Sequence, residues 1–208
     1  MKFWYWLRRP RMAISRLKYW LWEKRNPEAP WLTPEAVQFC SSHLSPGMRA
    51  WEFGSGRSTS WFAARVGHLV SVEHDPTWHA MIRGRLTAAG VANVDYRLVP
   101  LDHPIDEPER PCYDPLPRYV EAISAEPDGS LDLVIIDGHY RTTCLRESLP
   151  KLRPGGYVLI DDLNLWPRRE DLPVPPDWPQ VHESTNGVKR TGVWCKPHAP
   201  SADVHVSR

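Results

Sequence analysis

Two glycines stand where an apolar run ends, in Trp51-Glu52-Phe53-Gly54-Ser55-Gly56-Arg57-Ser58-Thr59, and their spacing is the first feature of the chain that could do chemistry. Glycine at such a place lets the backbone approach a ligand and take positive φ, and a helix starting just beyond it presents unpaired N–H groups. A third glycine is missing, because Thr59 stands where a dinucleotide fingerprint would want it, and this counts against NAD. At the end of the next apolar run, nineteen residues after Gly54, Glu73 offers a carboxylate that can accept two hydrogen bonds from a ribose diol. Asp75 reads as a helix cap. The plain alternative is a tight strand-to-helix turn without a ligand, which leaves the register of Glu52 and Glu73 with both glycines unexplained.

A second constellation is Ile136-Asp137-Gly138-His139-Tyr140-Arg141 together with Ile160-Asp161-Asp162-Leu163-Asn164. Both follow apolar runs, and in an open α/β sheet the strand C-termini form the ligand crevice, so these carboxylates should face a substrate. His139 could remove a proton from a hydroxyl, since imidazole titrates near neutrality; otherwise it is a surface histidine ahead of a helix. Arg141 is either a planar fork for an acidic substrate group or a solvated first-turn residue. Tyr113 is either an aromatic over the same edge or a packed loop residue. His43, His68, His74, His79 and His103 have no metal-ligand spacing, and no Ser-His-Asp order is evident.

The elements that must position these groups alternate. Strands are expected over 48–53, 68–73, 94–99, 131–137 and 157–161, with helices over 58–66, 75–89, 118–125 and 141–152 between them. Asp75 and Pro76 start the second of these helices, and Pro154-Gly155-Gly156 is expected to turn the chain into the fifth strand. Ahead of them Thr33 and Pro34 supply an N-cap and first residue for a helix that closes at Ser45-Pro46-Gly47. Prolines at 167, 173, 175, 176 and 179 forbid a long helix late in the chain, and segments 180–183 and 192–196 joined through Asn186-Gly187 read as an antiparallel hairpin. This order implies an α/β parallel sheet with helices on both faces.

The chain has 208 residues, 41% of them hydrophobic, with 26 Lys+Arg against 25 Asp+Glu. One folded domain is expected, and no apolar run is long enough to span a bilayer or resembles a secretory leader. Cys40, Cys112, Cys144 and Cys195 are scattered, which argues against a zinc cluster or disulfide framework and for a reducing cytosol. Charge is uneven: residues 1–25 hold eight Lys/Arg against Glu23 alone, a net +7, while the rest carries −6. The body is therefore not expected to bind nucleic acid. Within 11–25, Ala13, Ile14, Leu17, Trp20 and Leu21 recur at helical spacing, and Trp4, Trp6, Trp20 and Trp22 lie among cations. An amphipathic helix follows, either docked by its apolar face on its own domain or a second subunit, or lying on an anionic membrane surface.

Taken as a set, these motifs resemble class I S-adenosylmethionine-dependent methyltransferases. Glu52-Phe53-Gly54-Ser55-Gly56 is similar to the family's first motif, Val72-Glu73-His74-Asp75 to its second, 133–137 to its fourth-strand motif, and Leu152-Arg153-Pro154-Gly155-Gly156 to the approach to its fifth strand. The resemblance covers about residues 33 to 197. It implies a Rossmann-like, doubly wound, seven-stranded sheet of order 3-2-1-4-5-7-6 with strand 7 antiparallel. It divides the chain into a basic Trp-rich segment 1–30, a methyltransferase-like domain 31–198 and a tail 199–208.

S-adenosyl-L-methionine is the cofactor the resemblance implies. Carried over, its methionine part falls to Glu52, Gly54, Ser55, Gly56, Ser58 and Thr59, the ribose to Glu73 with His74 beside it, and the adenine to residues after strand three, Leu98 and Val99. Asp137 and His139 become the catalytic candidates, Tyr113 and Arg141 the substrate-binding ones. The strand-end carboxylates also resemble metal-dependent O-methyltransferases, which implies Mg²⁺ on Asp137, Asp161 and Asp162. The chain departs from that group in lacking its usual downstream lysine and in having Asp161 precede Asp162 instead of Asn; Asp162 could instead cap a turn while Asp137 touches cofactor or substrate. Methyl transfer to oxygen of a small-molecule or sugar-type acceptor is the expectation, and the Asn/Asp-Pro-Pro-Tyr motif of amino-methyltransferases is missing. Rivals are an aminopropyltransferase and a non-catalytic, membrane-associated adaptor; a homodimer and a peripheral position at the inner membrane surface are further expectations.

Overall fold

The computed structural model describes residues 10–105, 113–166 and 168–198. Trp4 and Trp6, the Pro-rich stretch 106–112 with Cys112, Pro167 and the tail 199–208 lie outside the described residues.

Seven strands form one sheet, β1 Arg49–Phe53, β2 His68–Glu73, β3 Val94–Leu98, β4 Leu131–Ile136, β5 Leu152–Ile160, β6 Gln180–Thr185 and β7 Arg190–Cys195. Their spatial order is β3-β2-β1-β4-β5-β7-β6, with β7 antiparallel to both neighbours and the rest parallel. The helices are α1 Pro10–Arg25, α2 Pro34–His43, α3 Arg57–Ala63, α4 Pro76–Ala88, α5 Arg118–Glu121 and α6 Arg141–Ser148.

Alternation along the central strands divides the core between the two faces of the sheet. Trp51, Phe53, Val70, Val72, Val134 and Ile136 pack with Tyr119, Cys144 and Leu145 near and on α5 and α6. Ala50, Leu69, Leu133, Ile135 and Leu159 point the other way, onto Ala36 and Cys40 of α2 and Trp61 and Phe62 of α3. Register sets the site: Phe53 of β1 lies between Val72 of β2 and Ile136 of β4, and Ile136 lies beside Ile160 of β5, so these strands end level.

Four local expectations change. Thr33 stands at the N-cap of α2 but caps nothing with its side chain; its hydroxyl lies 2.5 Å from Ser184 Oγ, so it ties α2 to β6. Pro154-Gly155-Gly156 lies inside β5, bulged between the pairs Leu131–Leu152 and Leu133–Tyr157, with Gly155 at φ +76. The helices expected over 118–125 and 141–152 both tighten into 3₁₀ turns, at Ala122–Ala125 and Leu149–Lys151. Finally, of the two readings of the amphipathic helix, docking by its apolar face is not what the chain adopts: α1 docks by Ser15, Tyr19, Trp22 and Glu23, and Ile14, Leu17, Trp20 and Leu21 are exposed.

Candidate functional site

The turn from β1 to α3 is pinned from beneath by a buried acid. Glu52 is fully buried, and its Oε2 accepts from Thr59 Oγ1 at 2.7 Å and Ser71 Oγ at 2.6 Å. Thr59 Oγ1 in turn accepts from Gly56 N at 3.0 Å, closing the first turn of α3 over the glycine. Oε1 of Glu52 has no partner, and burial pushes this carboxyl up to about 7 against the lowering effect of the Ser58, Ser71 and Thr59 hydroxyls. Gly54 takes φ +89, and a Cβ there would stand 2.7 Å from Asp137 O and from Gly138 N, so only glycine lets the first loop touch the loop after β4.

Glu73 ends β2 beside this turn and is the hub of the loop. Ser55 N and Oγ donate to its Oε2 at 3.2 and 2.7 Å, while His74 N and Asp75 N donate to Oε1 at 2.7 and 2.8 Å. Ser55 Oγ also lies 2.7 Å from Tyr96 Oη, which gives it a second partner if it leaves the carboxylate. Asp75 caps α4 as expected, accepting from Trp78 N at 2.6 Å, and Trp78 Nε1 donates to Ser55 O at 2.8 Å.

Across the crevice, Asp137, Asp161 and Asp162 offer oxygens that all lie within 4.8 Å of one another. Cations of the chain already sit among them. Asp161, with no exposed surface, accepts from Thr191 Oγ1 at 2.6 Å and is ion-paired to Lys189 Nζ, which also bonds the Trp31 carbonyl. Arg141 pairs with Asp137 at 3.4 Å and Asp162 at 3.5 Å, and donates at 2.8 Å to the carbonyls of Gly138 and Asp161. Both oxygens of Asp161 are taken and the other two carboxylates share a guanidinium, so this donor set does not fit Mg²⁺ in its octahedral shell. Asp162 and Tyr140, leaving β5 and β4, adopt φ +54 and +52, a left-handed strain that keeps both strand exits turned into the crevice. Asp137 keeps 28% of its side chain accessible, yet the atoms packed about it push its carboxyl up to about 7, first by desolvation and then through Asp161, against Arg141 and Lys189.

Between these two constellations lies a cavity of about 650 Å³. Of the expected site residues, Gly54, Ser55, Glu73, His74, Asp137, His139 and Arg141 line it. The rings of His74 and His139 meet edge to face at 4.5 Å, and His74 Nδ1 lies 2.9 Å from Glu73 Oε1. Glu52, Ser58 and Thr59 are buried behind the loop instead of lining the cavity, so they shape it from below. Leu98 and Val99 lie outside the lining, Val99 being held through its N–H to Glu73 O at 2.7 Å. Tyr113 is buried against Tyr140 and His103 and is the packed loop residue of the two readings. Arg141 is likewise engaged with its own backbone and carboxylates, which leaves its fork committed to holding the strand ends together.

Asp75 and Gly138 line the cavity as well, and so do Trp31, Trp78, Ile105 and Leu165, which were not singled out in the sequence. Trp31 comes from a linker held by Arg57, which binds Pro27 O and Glu23 and stacks its guanidinium 4.7 Å from the Trp31 ring centroid, and by Lys189 on the Trp31 carbonyl. Lys189 arrives from the β6–β7 hairpin, 28 residues from Asp161 in sequence, and only the fold places it there.

A family model described as a methyltransferase domain matches residues 51–163, from β1 to just past β5. No curated protein matches the chain. Among solved structures, a methyltransferase-like protein from Silicibacter pomeroyi is 22% identical over 82% of this chain and 91% of its own, with a TM-score of 0.56. A Streptococcus mutans protein described as a methyltransferase and solved with S-adenosylhomocysteine is 12% identical over 76% and 94%, TM-score 0.53. An RNA methyltransferase from Salinibacter ruber, also with S-adenosylhomocysteine, is 17% identical over 84% and 97%, TM-score 0.51. At such identities the likeness concerns the fold.

Proposed function

Because the chain belongs to the methyltransferase-domain family and carries its class I fold, we propose that it is an S-adenosylmethionine-dependent methyltransferase acting on a hydroxyl of a small-molecule acceptor. The observation that carries this reading is the place of Asp137, a carboxyl held above its ordinary range by its surroundings and by Asp161, in the lining of the same cavity as Gly54, Ser55 and Glu73.

The cavity suits the cofactor: it has the volume of a small-molecule site, a backbone turn with room beside Gly54 and Ser55, and apolar walls in Trp31, Trp78 and Ile105. Ser55 and the loop N–H groups would hold the amino-acid end, and Glu73 the ribose hydroxyls once Ser55 Oγ turns to Tyr96. Bound there, the cofactor supplies an electrophilic methyl on a sulfonium sulfur. The residues of the chain do the rest. Asp137 takes the proton of the acceptor hydroxyl, while His139, braced by His74, orients that hydroxyl and the Trp31 wall keeps water from it. Arg141 and Lys189 balance the three carboxylates, so no divalent ion enters this account and activity is expected to persist in EDTA.

The test is methyl transfer from labelled S-adenosylmethionine across a panel of hydroxylated small molecules, with Asp137→Asn beside the wild type. The reading expects turnover that rises with pH through about 7, as Asp137 loses its proton, and a drop of roughly 10²–10⁴ with that limb gone in the variant. Transfer to RNA but to no small acceptor, or an unaltered pH limb in Asp137→Asn, would overturn it.

A further inference from the structure

α1 carries two unlike faces, and the wrong one for a simple docking helix is turned inward. At roughly 100° per residue, Ser15, Tyr19, Trp22 and Glu23 share one side. That side meets the domain: Tyr19 Oη donates to Leu32 O at 3.2 Å, Glu23 pairs with Arg57 at 2.9 Å, and Ser15 lies against Gly187. On the other side Ile14, Leu17, Trp20 and Leu21 are 54, 57, 50 and 39% exposed. Between and beside them Arg16, Lys18, Lys24 and Arg25 are exposed too, and no acidic residue of the helix shares this side.

A helix held to its own domain by an ion pair and a hydrogen bond has no need to show four large apolar side chains to water, where each forfeits part of the gain of burial. Their surroundings identify what covers them. A rim of four cations with no acid from the helix complements an anionic partner, and the segment before α1 adds Phe3, Trp4, Trp6 and Leu7 with Lys2, Arg8 and Arg9. A second copy docked face to face would bring two such rims together and repel. A nucleic acid offers phosphates but nothing continuous for Ile14, Leu17 and Leu21 to enter, and the remainder of the chain carries −6. An interface rich in anionic lipid offers both, apolar depth under the headgroups and negative charge at them. No helix among the described residues is long and apolar enough to cross a bilayer.

We propose that the outward face of α1 seats this protein flat on an anionic membrane surface, with Leu17 and Leu21 entering the headgroup boundary and Lys18, Lys24 and Arg25 meeting lipid phosphates. Trp31 follows Arg25 by six residues, at most about 20 Å of extended chain, so one wall of the cavity stays close to the bilayer.

Vesicle co-sedimentation of the full chain tests this, with phosphatidylcholine vesicles alone and mixed with phosphatidylglycerol. Binding is expected only to the anionic vesicles and to weaken with salt. Lys18→Ala with Lys24→Ala should lower partitioning about thirtyfold, and Leu17→Ser with Leu21→Ser by tenfold or more. Circular dichroism and affinity for S-adenosylhomocysteine should stay as in the wild type, since none of the four side chains touches the domain core or the cavity. Equal binding to neutral vesicles, binding unmoved by either pair, or no binding to any vesicle overturns the proposal. So does light scattering that finds a dimer dispersed by the serine pair, or tighter capture of single-stranded RNA than of vesicles. The assay does not depend on catalysis, so it stands or falls apart from the methyltransferase reading.

Discussion

At the scale of single residues the site depends on close approach and on buried acids. Gly54→Val puts side-chain atoms into the Asp137 and Gly138 backbone, so it should abolish measurable S-adenosylhomocysteine binding in calorimetry. Glu73→Ala removes the acceptor of four short hydrogen bonds and should weaken binding about ten- to a hundredfold, with Glu73→Gln recovering part. Glu52 makes a prediction with a definite sign. Its folded carboxyl holds a proton up to about 7 where the free group lets go near 4.5, so ionising it opposes folding and stability should fall as pH rises from about 4.5 through 7. Urea unfolding of Glu52→Gln should lose that fall, which amounts to at most about 3 kcal/mol. The glycine spacing, Glu73 and Asp137 were legible because each stands at a strand end, where residue type reports directly on location. The state of those acids was not legible, because it depends on Thr59, Ser71, Arg141 and Lys189 reaching them through space.

At the scale of elements, the strand ends are held together by cations borrowed from elsewhere. Lys189, in the turn between β6 and β7, is the partner of fully buried Asp161 and bonds the carbonyl of Trp31. Lys189→Met should therefore cost about 3–5 kcal/mol, read as a lowered unfolding midpoint, by leaving a buried carboxylate unpaired. Asp161→Asn in the same chain should restore much of it. Every strand and the four helices around the sheet's centre were readable from periodicity and caps, with ends moved by a few residues. Where reading failed, a distant partner outweighed the local signal: Thr33 bonds β6 instead of its own helix, and the Pro-Gly-Gly turn is absorbed as a bulge because β5 pairs on both sides of it. The orientation of α1 stayed open between two readings for a related reason. Helical spacing identifies an apolar face but does not say whether protein or another phase covers it.

At the scale of the whole molecule, sheet order, family match and cavity converge on one picture. β1, β2, β4 and β5 end level, the glycine turn and Glu73 occupy one side of the crevice, and the balanced carboxylates occupy the other. The seven-stranded order followed from the resemblance and is what the chain adopts. The remaining walls of the cavity, Trp31, Ile105 and Leu165, come from linkers and loops where composition carries little shape. The most direct measurement of the central claim is calorimetric titration of the full chain with S-adenosylhomocysteine, run beside Gly54→Val and beside NAD. Saturable one-to-one binding by the wild type, with none by the variant and none of NAD, is the expected result. A wild-type chain that ignores S-adenosylhomocysteine, or a Gly54→Val chain that binds it equally well, would contradict the account.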